Sequence, residues 1–166
     1  MKLFKTIFTV FIISSLLLFS SCGSMVLNQA VKNFTVEKNA IPADFGKEET
    51  VLLCVIHGKN KYDKYMKENV KKEYHGKYEF VLRKDIDTKK YNDKNKYRYI
   101  FDEDKSTYKI DGTKPAANNS VSTMIYSIYD RKEDKSYSSG FSSSFFAKSI
   151  QAYMINLEQV RKKNKQ

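Results

Sequence analysis

Between Thr50 and Lys84 the spacing of apolar residues changes period twice, and that change constrains the fold more than any other feature of the chain. TVLLCVIH, residues 50 to 57, is an unbroken apolar run rich in β-branched side chains and closed by Gly58, the pattern of a short central strand buried on both faces. In the next stretch, NKYDKYMKENVKKEYHG, Tyr62, Tyr65, Met66, Val70 and Tyr74 recur at helical spacing with lysines opposite. Asn60 stands where a cap belongs and Gly76 where a left-handed stop belongs. YEFVLRK, 78 to 84, then alternates Tyr78, Phe80 and Leu82 on one side. Strand, helix and strand in that order predict a βαβ unit with parallel strands and a right-handed crossover.

The polar run DIDTKKYNDKN reads as a loop. KYRYIFD, 96 to 102, alternates Tyr97, Tyr99 and Phe101, and the charged DEDKS before TYKI, 107 to 110, predicts a first hairpin. DGTKPAANNS is turn chemistry throughout. VSTMIYSIYD, 121 to 130, and SYSSGFS, 136 to 142, predict a second hairpin across Arg131 to Lys135. Toward the end, Phe146, Ile150, Tyr153, Met154, Leu157 and Val160 form one continuous stripe on a helix, with Ser143 or Ser144 as its cap and Arg161 to Lys163 at the negative end of its dipole. These elements give a single α+β domain over 49 to 166: a mixed sheet of about five or six strands with a βαβ start, two hairpins and a C-terminal helix packed on it.

Ahead of this domain, Lys2 and Lys5 precede an apolar run from Ile7 to Phe19, and Ser20 and Ser21 lead into Cys22, the layout of a secretory signal peptide over 1 to 21. The run is shorter than the roughly 20 apolar residues of a membrane span and turns polar at once. Phe19-Ser20-Ser21-Cys22, followed by Gly23-Ser24, resembles the lipobox that closes the leaders of bacterial lipoproteins, with Phe19 where that class usually has Leu and Leu18 one place early. The resemblance implies that Cys22 carries a diacylglycerol on sulfur, becomes the first residue after cleavage, and takes a further fatty acid such as palmitate on its amine. Two or three acyl chains make such an anchor effectively permanent, whereas one holds reversibly. It also implies an outer-membrane address, since Gly23 and not Asp follows the cysteine, and a periplasmic orientation, since no acidic cluster of the surface-export kind follows. The alternative is an ordinary secretory leader cut elsewhere, leaving Cys22 as an odd thiol. Residues 22 to 48 mix polar and scattered apolar side chains around Pro42 and Gly46 and read as a lipid-anchored tether, with a helical turn near Leu27, Ala30, Val31 and Phe34.

With 30 Lys and Arg against 19 Asp and Glu the formal charge is +11. Arginine occurs only as Arg83, Arg98, Arg131 and Arg161, so the positive field is carried by lysines, which make poor bidentate forks for phosphate. Lysines interleaved with tyrosines would suggest nucleic acid in a cytoplasmic protein. Outside the inner membrane that partner is scarce, and the same lysines are drawn instead to anionic lipid or lipopolysaccharide phosphates, or simply form a solvated face.

The search for chemistry yields no catalytic, cofactor or metal residues. Cys54 lies inside VLLCVI and reads as a small buried hydrophobe. His57, at the carboxyl edge of the first strand, is the best-placed candidate for any site, but His75 lies at the far end of the intervening helix and the two lack zinc-ligand spacing. Ser106 to Lys109 fits Ser-x-x-Lys without the companion motifs, and Asp102, Asp104 and Ser106 start a calcium-loop spacing that Thr107 and Thr113 break. A hairpin turn accounts for them. The expectation is a lipid-anchored envelope protein acting as a non-catalytic binding or assembly module for an envelope partner, with a small periplasmic hydrolase using a strand-end site near His57 as the alternative. The body, 50 to 160, resembles the anticodon-binding-like α/β domain of envelope proteins such as the curli-secretion lipoprotein, through the pattern of its early strand and helix and the stretch Ile128-Tyr129-Asp130-Arg131-Lys132.

Overall fold

The computed structural model describes residues 21–58, 60–109 and 120–166, with backbone alone for Ser21, Cys22, Asn60, 104–109 and 120–122. The leader before Ser21, the Cys22 side chain, the Asn60 cap and most of the DGTKPAANNS turn therefore lie outside the described residues. The elements run α1 (Ser21–Asn33), β1 (Val51–Ile56), α2 (Asn60–Glu73), β2 (Lys77–Leu82), β3 (Tyr99–Lys109), β4 (Ser120–Asp130), β5 (Lys135–Tyr137), β6 (Ser142–Ser143) and α3 (Phe146–Asn164), with two 3-10 turns at Arg83–Asp85 and Lys89–Tyr91. The fold is α+β: a mixed six-stranded sheet ordered β2-β1-β3-β4-β5, with β6 also on β4.

β1 lies between β2 and β3 and parallel to both, which is why its run is apolar without alternation. Leu52 and Cys54 enter the core under the helices, while Val51, Leu53 and Val55 meet Val81, Tyr91, Tyr97 and Ile100 on the other face. The βαβ unit thus forms as expected. On α2, Tyr62, Met66, Val70 and Tyr74 are buried, but Tyr65 is 40% exposed. A four-residue spacing defines the buried stripe, and Tyr65 falls about 100° away from Met66 around the helix. Gly76 is not the left-handed stop that its position suggests, since the glycines with positive φ are Gly46, Gly58 and Gly140. A side chain at Gly76 would instead collide with the Tyr74 ring and with Arg161 Cδ.

The first hairpin differs from expectation. β3 continues without a break through Asp102 to Ser106 and pairs in register with β4, from Tyr99 opposite Asp130 to Lys109 opposite Ser120. DEDKS lacks the glycine, proline or asparagine that favours a turn, and the antiparallel ladder with β4 continues through it. The second hairpin forms as expected, with β4 antiparallel to β5 across residues 131–134. α3 buries Ile150, Ala152, Tyr153, Met154 and Leu157. Neither serine is its cap: Phe145 holds that position, and Ser143 Oγ accepts from the Phe145 N–H at 3.0 Å, two residues too early.

The largest correction concerns the tether. Ala30, Phe34, Ala40, Ile41 and Phe45 are buried in the same core as α3 and the sheet. Asn156 Nδ2 donates to the carbonyls of Val31 and Phe34 at 2.7 and 2.6 Å, Asn164 Nδ2 to those of Ala43 and Phe45, both at 2.9 Å, and the Tyr153 hydroxyl to that of Ala40. Gly46, at φ +89°, passes so close to α3 that a Cβ would lie 2.7 Å from Arg161 Cα. The folded body therefore begins in α1 and not at residue 49. Ala30 and Phe34 keep the helical spacing read near them, but Ala40, Ile41 and Phe45 carry no regular period, and the α3 side chains supply the hydrogen bonds that hold this stretch.

Candidate functional site

The carboxyl end of β1 places His57 beside Glu103. Gly58, at φ +73°, turns the chain away from the strand, and the Asp63 carboxylate in the first turn of α2 accepts from the His57 N–H at 2.9 Å. Strand end and helix start are thereby tied together. Glu103 points to the helix-covered side because it shares parity with Tyr99 and Phe101, and its Oε1 lies 3.2 Å from His57 Nε2. The imidazole is 18% exposed and the carboxylate 2%, so the pair has one edge in solvent and one in the core. The ring of Tyr62 stands 5.1 Å from that of His57. Burial first, then the neighbouring Tyr126 and Glu103, push the Tyr62 hydroxyl far above its ordinary range and keep it neutral. Behind the pair, Arg83 Nη2 reaches Asp102 Oδ1 at 2.8 Å and the Glu103 carbonyl at 3.1 Å. An imidazole held by a carboxylate can exchange a proton at its solvent edge.

At the opposite end of β1 a different cluster forms around Arg98. Its guanidinium makes a fork on Asp130, with Nε at 3.0 Å and Nη2 at 2.7 Å from Oδ2, and reaches Asp44 at 2.8 Å and Glu133 at 3.2 Å. Burial would raise the Asp130 carboxyl, yet the Arg98 bonds and the backbone N–H groups of Glu133 and Lys132 bring it below the usual range. The same bonds to Asp130 hold Arg98 firmly protonated. This cluster joins the segment after α1 to β3 and to the β4–β5 turn, which makes it a structural clasp.

The remaining arginines are committed inward as well. Arg131 donates to the carbonyls of Tyr91 and Tyr97 at 2.6 and 3.2 Å, holding the loop that covers the second sheet face. Arg161 forks onto Glu158, which also accepts from the His75 N–H at 3.1 Å. With Arg98, Arg131 and Arg161 so engaged and Arg83 paired with Asp102 at the surface, surface positive charge is carried chiefly by lysine. Tyrosines turn inward too: Tyr62, Tyr74, Tyr91, Tyr97, Tyr99, Tyr126 and Tyr153 are buried.

Other sequence candidates separate. Cys54 is fully buried and burial pushes its thiol up, so it is an inert packing residue. His75 sits apart from His57, on Glu158. Asp102, Asp104 and Ser106 stand in the middle of β3, where no turn forms, and the side chains of Asp104, Ser106 and Lys109 lie outside the described residues. Among the described residues no group of three or more His, Cys, Asp or Glu is arranged to hold a metal ion, and no helix is long and apolar enough to cross a membrane. A groove of about 320 Å³ runs between Thr35, Val36 and Ala43 on one side and Asn156, Val160 and Lys163 of α3 on the other. Sequence reasoning singled out His57 but missed Glu103, whose only signal was an acidic residue at an inward-facing strand position. The chain matches no family model, no curated protein and no solved structure.

Proposed function

We propose that this chain is a lipid-anchored envelope protein whose α+β body serves as a non-catalytic binding or assembly module. The observation that carries the reading is the boundary at Cys22, where an apolar leader ends in Phe19-Ser20-Ser21-Cys22 and a helix of the folded body begins at once with Ser21. An acylated cysteine there would hold the body at the outer membrane, facing the periplasm. The module reading draws support from two charge clusters, where Arg98 and Arg161 are spent on carboxylates that also tie neighbouring segments together. The partner proposed is an envelope protein, with lysine-rich surface adding attraction to anionic lipid or lipopolysaccharide. Labelled palmitate should enter the wild-type protein and not Cys22→Ser, and the variant should leave the membrane fraction; a wild-type protein that stays unlabelled and soluble would end the reading.

A second reading follows from the His57–Glu103 contact at 3.2 Å, which favours a small hydrolase with His57 as proton carrier. Turnover of a chromogenic ester or peptide by the purified protein, abolished in His57→Ala and in Glu103→Gln, would establish it. Equal rates in all three proteins would remove it.

A further inference from the structure

With α1 part of the folded body, no spacer lies between Cys22 and the core. We infer that the end of the molecule formed by the first turns of α1 and α3 lies directly on the phospholipid bilayer, with Met25 and Phe145 entering its headgroup and acyl boundary. The inference rests on lipidation at Cys22 and adds a fixed orientation to it.

Helix α1 starts at Ser21, and Leu27 already packs against the core, followed by Ala30, Val31 and Phe34. Five residues of helix separate Cys22 from Leu27, an advance of only about 8 Å. A lipid on Cys22 therefore leaves no slack for the body to stand away. α1 and α3 lie side by side with their amino ends together: Lys148 Cε is 3.8 Å from where a Cβ on Gly23 would sit, and Asn156 bonds the carbonyls of Val31 and Phe34 further along. The start of α3 is thus brought next to the anchor point.

That end carries a surface suited to lipid. Of the large apolar side chains that stand exposed among the described residues, Met25 at 68% and Phe145 at 57% both belong to it, while the third, Tyr65, sits on α2. Neither α1 nor α3 has an acidic residue in its first turn, where helix ends ordinarily favour one, and Lys148 supplies positive charge beside them. Exposed apolar side chains with a basic neighbour and no acid in either first turn match the anionic interface, into which such residues reach about 5–10 Å; the Glu73 carboxylate, bonded by Gln151, lies further along α3.

The chain contains no tryptophan, so a single one reports its own depth without background. Lipidated full-length Phe145→Trp and Gln159→Trp proteins would be reconstituted into vesicles of phosphatidylethanolamine and phosphatidylglycerol whose acyl chains carry bromine, a contact quencher. Gln159 is exposed on α3 about 20 Å further along its axis, so neither change disturbs the core. The Phe145→Trp protein should lose most of its emission and shift to the blue, while the Gln159→Trp protein stays unquenched. If the Phe145→Trp protein remains bright, or both quench alike, although it floats with the vesicles and its intact mass shows the acyl chains, the apposed face is wrong and the anchor stands. If the mass shows a bare thiol on Cys22, the anchor reading falls and takes the orientation with it.

Discussion

The two ends of β1 each bury a carboxylate, and they treat it differently. At the amino end Asp130 receives a permanently charged fork from Arg98 and two backbone N–H bonds, and it sits at the junction of three chain segments. At the carboxyl end Glu103 faces His57, a cation only when protonated, with tyrosine rings behind it. The first arrangement has one stable charge state and works as a clasp. The second sets the carboxylate against a ring whose charge depends on whether it is protonated. A buried ion pair is a poor guide to function when its cation cannot titrate.

Removing the cation should have the largest effect at the clasp. Arg98→Ala leaves Asp130 buried without its partner, for which a loss of about 3–5 kcal/mol is expected in urea unfolding. The corresponding deletion at the other end, Glu103→Ala, strands no permanent charge, because His57 can stay neutral, and about 1–3 kcal/mol is expected. If the second loss equals the first, the contrast between the ends is false. Acid should separate them as well. Asp130 and Glu158 have their folded-state values depressed, so the unfolded chain binds more protons in that range and stability rises with pH there. Their contribution is complete above roughly pH 4, the ordinary carboxylate value, and is lost as pH falls through the folded-state values. Asp130→Asn should flatten this acid limb in thermal melts followed by circular dichroism. The smallest effect belongs to the surface: the Glu79 carboxylate, 2.6 Å from Lys90 Nζ, raises the lysine's affinity for protons, yet the ammonium is largely in solvent, and Lys90→Ala should leave the urea midpoint nearly unchanged.

Strong periodicity made part of this protein readable. The 51 to 56 strand, the buried α2 positions at four-residue spacing and the α3 stripe all appear where the pattern puts them, because each buries a continuous face that the sequence must write out in full. The segment from Ala30 to Phe45 defeated the same reasoning. The helical turn at Ala30 and Phe34 was visible, but Ala40, Ile41 and Phe45 follow without helix or strand period, and their turns are held by Asn156, Asn164 and Tyr153 from the other end of the chain. DEDKS misled because charge was read as a turn, whereas β3 runs through it in register with β4 and buries one of its carboxylates, Glu103. His57 was located from its place at a strand end, but its carboxylate lies on a strand whose register no local pattern specifies. One residue of slip between β1 and β3 would turn Glu103 to the other face.

By itself the sequence determined the hydrophobic boundary at Cys22, the βαβ start and the amphipathic last helix, since each is a run of neighbouring residues whose spacing carries its own physical meaning. Only the tertiary structure decided that the stretch after Cys22 belongs to the body, that Arg98 closes one end of the sheet, and that Glu103 meets His57 at the other. Those outcomes depend on strand register and on packing between distant segments, where the energy of a contact belongs to both partners and is written in neither one alone.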